Sequence, residues 1–313
     1  MPGSPGYFLN KRQREMGYSF YMVDVFAERA FSGNPLAVLF GAESISDATM
    51  QQIAAEMNFS ETTFLMASPE EDGGYRTRIF TPAREIAFAG HPILGTAWVV
   101  RRHLGLESCR QILLNLASGQ IAVRFEAAAD GSELIWFAAP PMSLGKTAPA
   151  DQVAAALGLS MDDIGTQSPI QVVSAGTAAM IVPLRSLDAL RRSRLDLGAF
   201  EPLAEQGFPP LVYLYCEETH HPHNDLCARF FFEAHGVRED PATGNGAAFL
   251  GAYLLAHRVY AEAEFELRIE QGYEVRRPSL VMLRAQMTNT GQQVSIGGHV
   301  VETVHGELLS TGL

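Results

Sequence analysis

The chain has 313 residues, of which 47% are hydrophobic and 19% are charged, as is usual for a folded globular protein. Its formal charge of −12 at pH 7 argues against a nucleic-acid-binding surface, because phosphate backbones are bound by basic patches. No apolar run reaches the roughly 18–20 residues of a membrane span, and no charged-then-apolar secretory signal opens the sequence. Three cysteines without a C-x-x-C spacing (Cys109, Cys216 and Cys227) predict reduced, buried side chains of a cytoplasmic protein.

The first half of the chain alternates strand and helix patterns. Residues 1–16 carry turn formers and a basic cluster without apolar periodicity, so we expect a loose extension before a first lobe over residues 17–138. Ser46 caps an amphipathic helix, whereas a second helix over residues 93–100 is apolar on every side and therefore buried. Strands are predicted at residues 21–26, 36–40, 61–65, 75–81, 112–117, 121–127 and 134–138.

The second half follows a stretch rich in proline and alanine, residues 139–150, which is predicted to be a linker. A second lobe is expected over residues 151–299, and the last element, about 300–313, is expected to return to the first lobe. Helices are predicted at about 151–157, at 186–192 and from Gly246 to about Ala256, and the last of them is again apolar all round. Strands are predicted at residues 170–173, 179–184, 211–216, 227–232, 265–270, 280–287, 293–296 and 299–304.

The two halves resemble each other in the order of their motifs. A Ser-Gly-Asn-Pro turn at residues 32–35 corresponds to Ser-Ala-Gly-Thr at 174–177, and Arg78 corresponds to Arg229, each in an aromatic strand. Each half then reaches a glycine turn and a wholly apolar helix. A diverged duplication predicts an α+β fold of two similar lobes, each a curled mixed sheet around a central buried helix. Chance similarity of two α/β halves is the alternative.

The turn before the last apolar helix, around Gly244, is acidic and rich in glycine. Free backbone N–H groups at a helix start, with the helix dipole behind them, make an anion-binding site. Two such helix starts would face one cleft between the lobes. The alternative is a plain glycine turn that leads into a core helix.

Several motifs occur together in this chain, in a fixed order. They are Ser32-Gly33-Asn34-Pro35-Leu36-Ala37-Val38, Asn58-Phe59-Ser60-Glu61-Thr62-Thr63-Phe64, Phe80-Thr81-Pro82 with Phe88-Ala89-Gly90-His91-Pro92, Glu239-Asp240-Pro241-Ala242-Thr243-Gly244, Glu270-Gln271-Gly272 with Arg277-Pro278-Ser279, and Gly297-Gly298. Over roughly residues 19–310 they resemble the phenazine-biosynthesis PhzF-like family. The resemblance implies a diaminopimelate-epimerase-like fold and a cofactor-free isomerase, usually a homodimer, that uses an acidic residue as proton shuttle.

The same resemblance assigns roles to particular residues. The catalytic glutamate of the family falls on Glu61, its histidine on His91 and its aspartate on Asp240, and the glycines that line its site match Gly90 and Gly244. Two positions depart from the family pattern. Asn245 stands where the family often has serine, which affects one substrate hydrogen bond, and Arg276 stands where glycine is common before Arg-Pro-Ser.

The residue types fit these roles. Glu61 lies among aromatic and β-branched neighbours, and desolvation would raise the pKa of its carboxyl above about 4.3, toward the range useful for proton transfer. His91 at a helix start favours a neutral imidazole, and Asp240 would orient the substrate. Backbone N–H groups around Gly90, Gly244 and Gly246 would bind a substrate carboxylate. The alternatives are an exposed glutamate and two helix-capping side chains.

The turns also distinguish possible mechanisms. Two-base racemases of this fold carry one thiol at each helix turn, whereas neither turn here contains cysteine, so one carboxyl acting as both base and acid fits better. The His-His-Pro-His run at residues 220–223 reads as a polar loop rather than a metal site, and Gly244-x-Gly246 lacks the third glycine of a dinucleotide fingerprint. We therefore expect no cofactor and no bound metal.

The sequence thus predicts a cofactor-independent isomerase that moves a proton on a small carboxylate-bearing metabolite. Its partners are expected to be this small molecule and a second copy of the chain, with no nucleic acid and no membrane. Two alternatives stay open: a metabolite-binding protein of the same fold without catalysis, and a hydratase or hydrolase in which Glu61 activates water.

Overall fold

The computed structural model describes residues 17–128, 131–232 and 239–309. The predicted N-terminal extension, residues 1–16, lies outside the described residues. The described part of the chain forms eighteen β-strands and six α-helices. No helix within it is both long and apolar enough to cross a membrane.

The first half contains eight strands and two α-helices. In chain order they are β1 (Tyr18–Val25), β2 (Asn34–Phe40), α1 (Asp47–Met57), β3 (Glu61–Pro69), β4 (Tyr75–Phe80), β5 (Glu85–Ile86), α2 (Gly90–His103), β6 (Gln111–Leu116), β7 (Gly119–Ala127) and β8 (Glu133–Ala138). As predicted, Ser46 caps α1: its side chain accepts a hydrogen bond from the backbone N–H of Thr49.

The second half contains ten strands and four α-helices. They are β9 (Ser143–Thr147), α3 (Ala150–Ala156), β10 (Gln171–Ala175), β11 (Thr177–Pro183), α4 (Leu187–Arg192), α5 (Leu197–Glu205), β12 (Val212–Cys216), β13 (Leu226–Phe231), β14 (Glu239–Asp240), α6 (Gly244–Ala256), β15 (Glu264–Gln271), β16 (Ser279–Thr288), β17 (Gly291–Gly298) and β18 (Val300–Leu308).

Strand pairing repeats from one half to the other. In the first, the order is β18, β1, β2, β3, β4, β6, β7, β8. In the second, it is β9, β10, β11, β12, β13, β15, β16, β17. The parallel pairs β2–β3 and β4–β6 have parallel counterparts in β11–β12 and β13–β15, and β8 pairs with β17 to join the halves. The predicted α+β fold of two similar curled sheets is therefore confirmed.

The central helices α2 and α6 carry the core. Nearly all of the side chains of α6 are buried, and so are most of those of α2. One hydrophobic cluster includes residues of both helices together with strands of both halves. A helix that is apolar on every side has to be enclosed, which explains why each sheet curls around one. The two helix N-termini meet at the centre of the molecule, and the candidate site lies there.

Three details differ from the sequence predictions. The segment 139–150 contains a strand, β9, that pairs with β10, so it is more than a linker. Helix α5 was not predicted, because Gly198 and Pro202 interrupt its helical pattern. Both central helices begin earlier than expected, at Gly90 and Gly244, so the predicted glycine turns form their first helical turn. The exact lobe boundaries remain an interpretation.

Arg276 departs from the family pattern at a position with a special backbone conformation. Its φ is +60°, in the left-handed region, where side chains with a Cβ cost roughly 1–2 kcal/mol. We expect Arg276→Gly to raise the free energy of unfolding by about 0.5–1 kcal/mol, since glycine entropy offsets part of the gain. Urea unfolding measures the change. Arg276→Ala keeps the Cβ and serves as the control, and equal stability of the two variants would contradict the strain.

Candidate active site

A cavity of about 410 Å³ lies where the two central helices begin. Its wall takes residues from both halves, and much of it is aromatic or aliphatic. All the predicted site residues except Gly246 line it: Glu61, Gly90, His91, Asp240, Gly244 and Asn245. Gly246 is buried instead against the ring of Tyr213, where an added Cβ would lie 2.4 Å from a ring carbon. Its predicted contact with substrate, through the backbone N–H, stays a prediction.

The two helix starts touch each other through glycine. A Cβ added to Gly90 would lie 3.1 Å from the Cα of Gly244, and one added to Gly244 would lie 3.2 Å from the Cα of Gly90. Neither helix has a side-chain N-cap. The first-turn N–H groups thus have no capping acceptor in the described part of the chain, and two helix dipoles favour negative charge at one place. This arrangement can bind an anion such as a carboxylate.

Glu61 is the first residue of β3 and is 9% exposed. Burial, together with the charge of Asp240, raises the pKa of Glu61 to about 8. Its Oε2 lies 3.5 Å from Nδ1 of His91. A carboxyl with a pKa near the working pH can both give and take a proton at low cost. The expectation of a desolvated glutamate here thus agrees with its geometry.

The raised pKa of Glu61 has a consequence for stability. A carboxyl whose pKa is higher in the folded chain than in the unfolded chain stabilises the fold at low pH, and this contribution is lost as pH rises toward the folded value. Wild-type stability should therefore fall between about pH 4.5 and pH 8 by up to about 1.4 kcal/mol per pH unit from this group. The Glu61→Gln variant lacks this pH dependence. The thermal stability of the variant relative to that of the wild type should therefore increase steadily as the pH rises from about 4.5 to about 8.

The control for this measurement is Glu56→Gln, because Glu56 is exposed on α1. It should follow the wild-type pH dependence throughout. Parallel curves for wild type and Glu61→Gln would contradict the raised pKa.

His91 follows Gly90 in the first turn of α2 and is 4% exposed. Burial lowers its pKa to about 3, against the opposing effect of a hydrogen bond with the backbone of Pro35. The imidazole is therefore neutral at physiological pH, as predicted. The main cause of its lowered pKa is burial, whereas the sequence pattern had pointed to the helix N-terminus. Its Nε2 is buried and has no hydrogen-bond partner among the described residues.

Asp240 enters the cavity from β14 and is 8% exposed. Burial raises its pKa to about 6, although three hydrogen bonds to its carboxylate act in the opposite direction. The donors are Asn34 Nδ2 at 2.8 Å, Ser60 Oγ at 3.2 Å and Thr243 Oγ1 at 2.5 Å. No role was predicted for any of these three donors. All three lie in the motifs that resemble the family, Asn34 and Thr243 beside a glycine and Ser60 beside Glu61, and this was the available signal.

The two acids occupy positions whose counterparts in the other half are apolar. Strand register matches Glu61, which precedes Thr62 on β3, with Leu211, which precedes Val212 on β12. It likewise matches Asp240 on β14 with Ile86 on β5. Leu211 and Ile86 also line the cavity. Each half thus supplies one of the two buried carboxyls, whereas a third acid at the cavity wall, Glu85, is exposed and paired with Arg78. The counterpart of Glu61 in the other half carries no second proton carrier.

The two departures from the family pattern lie in different places. Asn245 is half-buried at the cavity wall, and its amide makes no hydrogen bond within the described ranges, so it is available to a ligand. Arg276 is not among the residues that line the cavity. Its neighbour Arg277 joins the halves through Asp24 at 2.5 Å and the carbonyl oxygens of Ser32 and Gly33.

The polar loop after β12 brings three metal-binding residue types together. Donor atoms of His220, Cys227 and Glu270 lie within 4.8 Å of one another. The carboxylate of Glu270, however, accepts hydrogen bonds from two backbone N–H groups and from Asn224, and Arg191 lies 3.1 Å from Nδ1 of His220. The Glu270 carboxylate thus already has partners, although Nε2 of His220 has none among the described residues. The second nitrogen of a metal-bound histidine normally donates a hydrogen bond, whereas Nδ1 of His220 lies beside the guanidinium of Arg191, which can only donate.

Comparison with known sequences identifies a protein family for this chain and relatives that are named as isomerases. The family described as phenazine biosynthesis-like protein (PhzC-PhzF) matches residues 23–306. The chain is 33% identical to an uncharacterized isomerase of Pasteurella multocida over 296 residues, which is 93% of this chain and 94% of that protein. It is 35% identical to trans-2,3-dihydro-3-hydroxyanthranilate isomerase of Pseudomonas aeruginosa over 282 residues, 89% of this chain and 93% of the relative.

Solved structures support the same assignment. A PhzF-family protein of Bacillus anthracis superposes with a TM-score of 0.86 at 25% identity, covering 94% of this chain and 99% of that one. A hydroxyproline epimerase of Agrobacterium vitis matches in fold alone, with a TM-score of 0.59 at 13% identity over 94% of this chain and 92% of that one. Fold, cavity and relatives define an isomerase with a diaminopimelate-epimerase-like architecture. The chain belongs to the phenazine biosynthesis-like PhzF family, as the sequence motifs predicted.

Proposed function

We propose that this isomerase moves a proton within a small carboxylate-bearing metabolite without a cofactor, and that Glu61 is both its base and its acid. The observation that carries the proposal is a buried carboxyl with a raised pKa, which shares one cavity with Asp240 and two uncapped helix N-termini. General acid–base catalysis requires such a group within reach of the substrate.

The substrate would bind with its carboxylate at the N–H groups of the two helix starts. Those groups and the helix dipoles also stabilise the negative charge that develops when a proton leaves a carbon next to a carboxylate. His91, neutral and beside Glu61, would donate or accept one hydrogen bond, and Asp240 would hold a polar or cationic group of the substrate. Because Leu211 occupies the counterpart of Glu61, the proton would leave and return on the same face.

The test is isotope incorporation. The enzyme is incubated in deuterium oxide with trans-2,3-dihydro-3-hydroxyanthranilate, the compound in the name of the Pseudomonas aeruginosa relative, and with related cyclic and amino acids. The expected product has the mass of the substrate plus solvent deuterium at one carbon. A product heavier by one water would favour hydration by Glu61, and binding without turnover across the panel would favour a metabolite-binding protein.

Asn245 is the residue expected to distinguish this substrate from those of relatives, because its free amide stands at the cavity wall. Asn245→Ser should change the preference among the compounds of the panel more than it changes the rate on any one compound.

The homodimer implied by the family resemblance also belongs to this proposal, and light scattering of the purified chain tests it.

A further inference from the structure

We propose that Asn34 is a positioning residue that keeps Asp240 ionised and oriented, and that it thereby keeps the proton on Glu61. The role in catalysis rests on the proposed function, whereas the effect on the two carboxyls does not. Asn34 is fully buried and opens β2, in the half of the chain that does not contain Asp240. Its contact with Asp240, a residue that lines the cavity, therefore joins the two halves.

Both hydrogens of the Asn34 amide are used on the opposite half. Nδ2 donates to Oδ1 of Asp240 at 2.8 Å and to the backbone oxygen of Ala242 at 2.9 Å. The turn before it is held as well, because the N–H of Gly33 donates to the oxygen of Pro278 at 3.0 Å. With the backbone and the amide both fixed, Asn34 sets the position of the Asp240 carboxylate relative to the cavity.

The charge of Asp240 depends on neutral donors. Within the described ranges no arginine, lysine or histidine forms an ion pair with it, and its three side-chain donors are Asn34, Ser60 and Thr243. A buried carboxylate without a cation keeps its charge only through such hydrogen bonds, so the loss of one should raise its pKa. The neighbouring Glu239 differs, because it is paired with a guanidinium.

The state of Asp240 in turn affects Glu61. The charge of Asp240 is the second cause, after burial, of the raised pKa of Glu61. If Asp240 became neutral near pH 7, the pKa of Glu61 would fall and its carboxyl would lose its proton more readily. Asn34 therefore acts on the proton carrier through Asp240 without touching the substrate.

The duplication shows that the fold does not require this contact. Strand register matches Asn34 at the start of β2 with Thr177 at the start of β11, one position further along than the motif correspondence, and Thr177 is exposed. The counterpart of Asp240 is Ile86. The same turn in the other half thus forms without an amide-to-carboxylate hydrogen bond. The hydrogen bond forms at the position where an acid, Asp240, lines the cavity. This is expected if the role of Asn34 is to position that acid.

The experiment is a carboxyl titration followed by ¹³C NMR, with side-chain carboxyls of aspartate and glutamate labelled. Glu61→Gln and Asp240→Asn assign the two signals. In Asn34→Ala, the Asp240 transition should move up by about 1–2 pH units, the size of one lost hydrogen bond to a charged group, and the Glu61 transition should move down. Thr177→Ala is the matched control at the corresponding turn and should leave both transitions unchanged.

A second variant keeps the test decisive if Asn34→Ala does not fold. Ser60→Ala removes a different donor to the same carboxylate oxygen and should shift both transitions in the same directions by less. Unchanged titration of both carboxyls in the folded variants overturns the proposal. Because no substrate is present, that outcome is independent of whether Glu61 proves to be the catalytic base.

Discussion

Glu61→Gln is expected to lower the rate of deuterium incorporation into the substrate by about 10²–10⁴-fold, the usual contribution of one general acid–base group. Glutamine has nearly the same shape as protonated glutamate, and the carboxyl is largely protonated at neutral pH because burial and Asp240 raise its pKa to about 8, which leaves an ionised fraction to act as the base. The variant should therefore fold and still bind the substrate, and lose only the transfer of the proton. Mass spectrometry of the product in deuterium oxide measures the rate.

Two comparisons make this result specific. Ligand-induced thermal stabilisation by the same compound should be similar in Glu61→Gln and wild type, since Gly90 and Gly244 still supply the backbone N–H groups. Glu56→Gln makes the same substitution at an exposed glutamate on α1, away from the cavity, and should keep full activity. Full turnover by Glu61→Gln would exclude Glu61 as the proton carrier and leave the family assignment intact.

Much of this architecture follows from local patterns. Apolar periodicity, glycine turns and β-branched runs identify most strands and both central helices, because these signals depend on neighbours along the chain. Repetition of those signals predicts the duplication, and a duplication around two buried helices predicts a cleft at their N-termini. His91 and Asp240 stand beside these turns in sequence, whereas Glu61 was assigned through the resemblance of its motif to the family.

The interactions that tune the site could not be predicted in this way. Asn34, for example, contacts Asp240 across 206 positions of sequence. Such contacts depend on how the two sheets are placed in space, which no periodicity records.

The repeated motifs also do not show how deeply two equivalent residues are buried. Arg78 and Arg229 hold equivalent places in the two halves, and each pairs with a glutamate on the next short strand, Glu85 or Glu239. In the first half the two side chains are 18% and 39% exposed, whereas in the second they are 3% and 6% exposed. The sequence around the two arginines does not reveal this difference.

Arg229→Met is accordingly expected to lower the free energy of unfolding by about 3–5 kcal/mol, because it leaves Glu239 buried without its cation. Arg229 forms two hydrogen bonds to that carboxylate, at 2.9 and 2.6 Å, and also donates to the backbone oxygens of Leu190 and Ser193 at 2.9 Å. Arg78→Met, at the equivalent but more exposed pair, should cost about 1 kcal/mol or less. Urea unfolding at pH 7 compares the two.

The double variant Arg229→Met with Glu239→Gln separates the unpaired charge from lost packing. Removing the orphaned carboxylate should restore part of the stability, since the penalty of a broken buried pair lies mainly in the charge left behind. Equal losses in Arg229→Met and Arg78→Met would contradict the role of burial. The ion pair also bears on the site, because Glu239 precedes Asp240 and its charge contributes to raising the pKa of that carboxyl. In Arg229→Met the negative charge of Glu239 is no longer compensated by a cation. The pKa of Asp240 should therefore rise further.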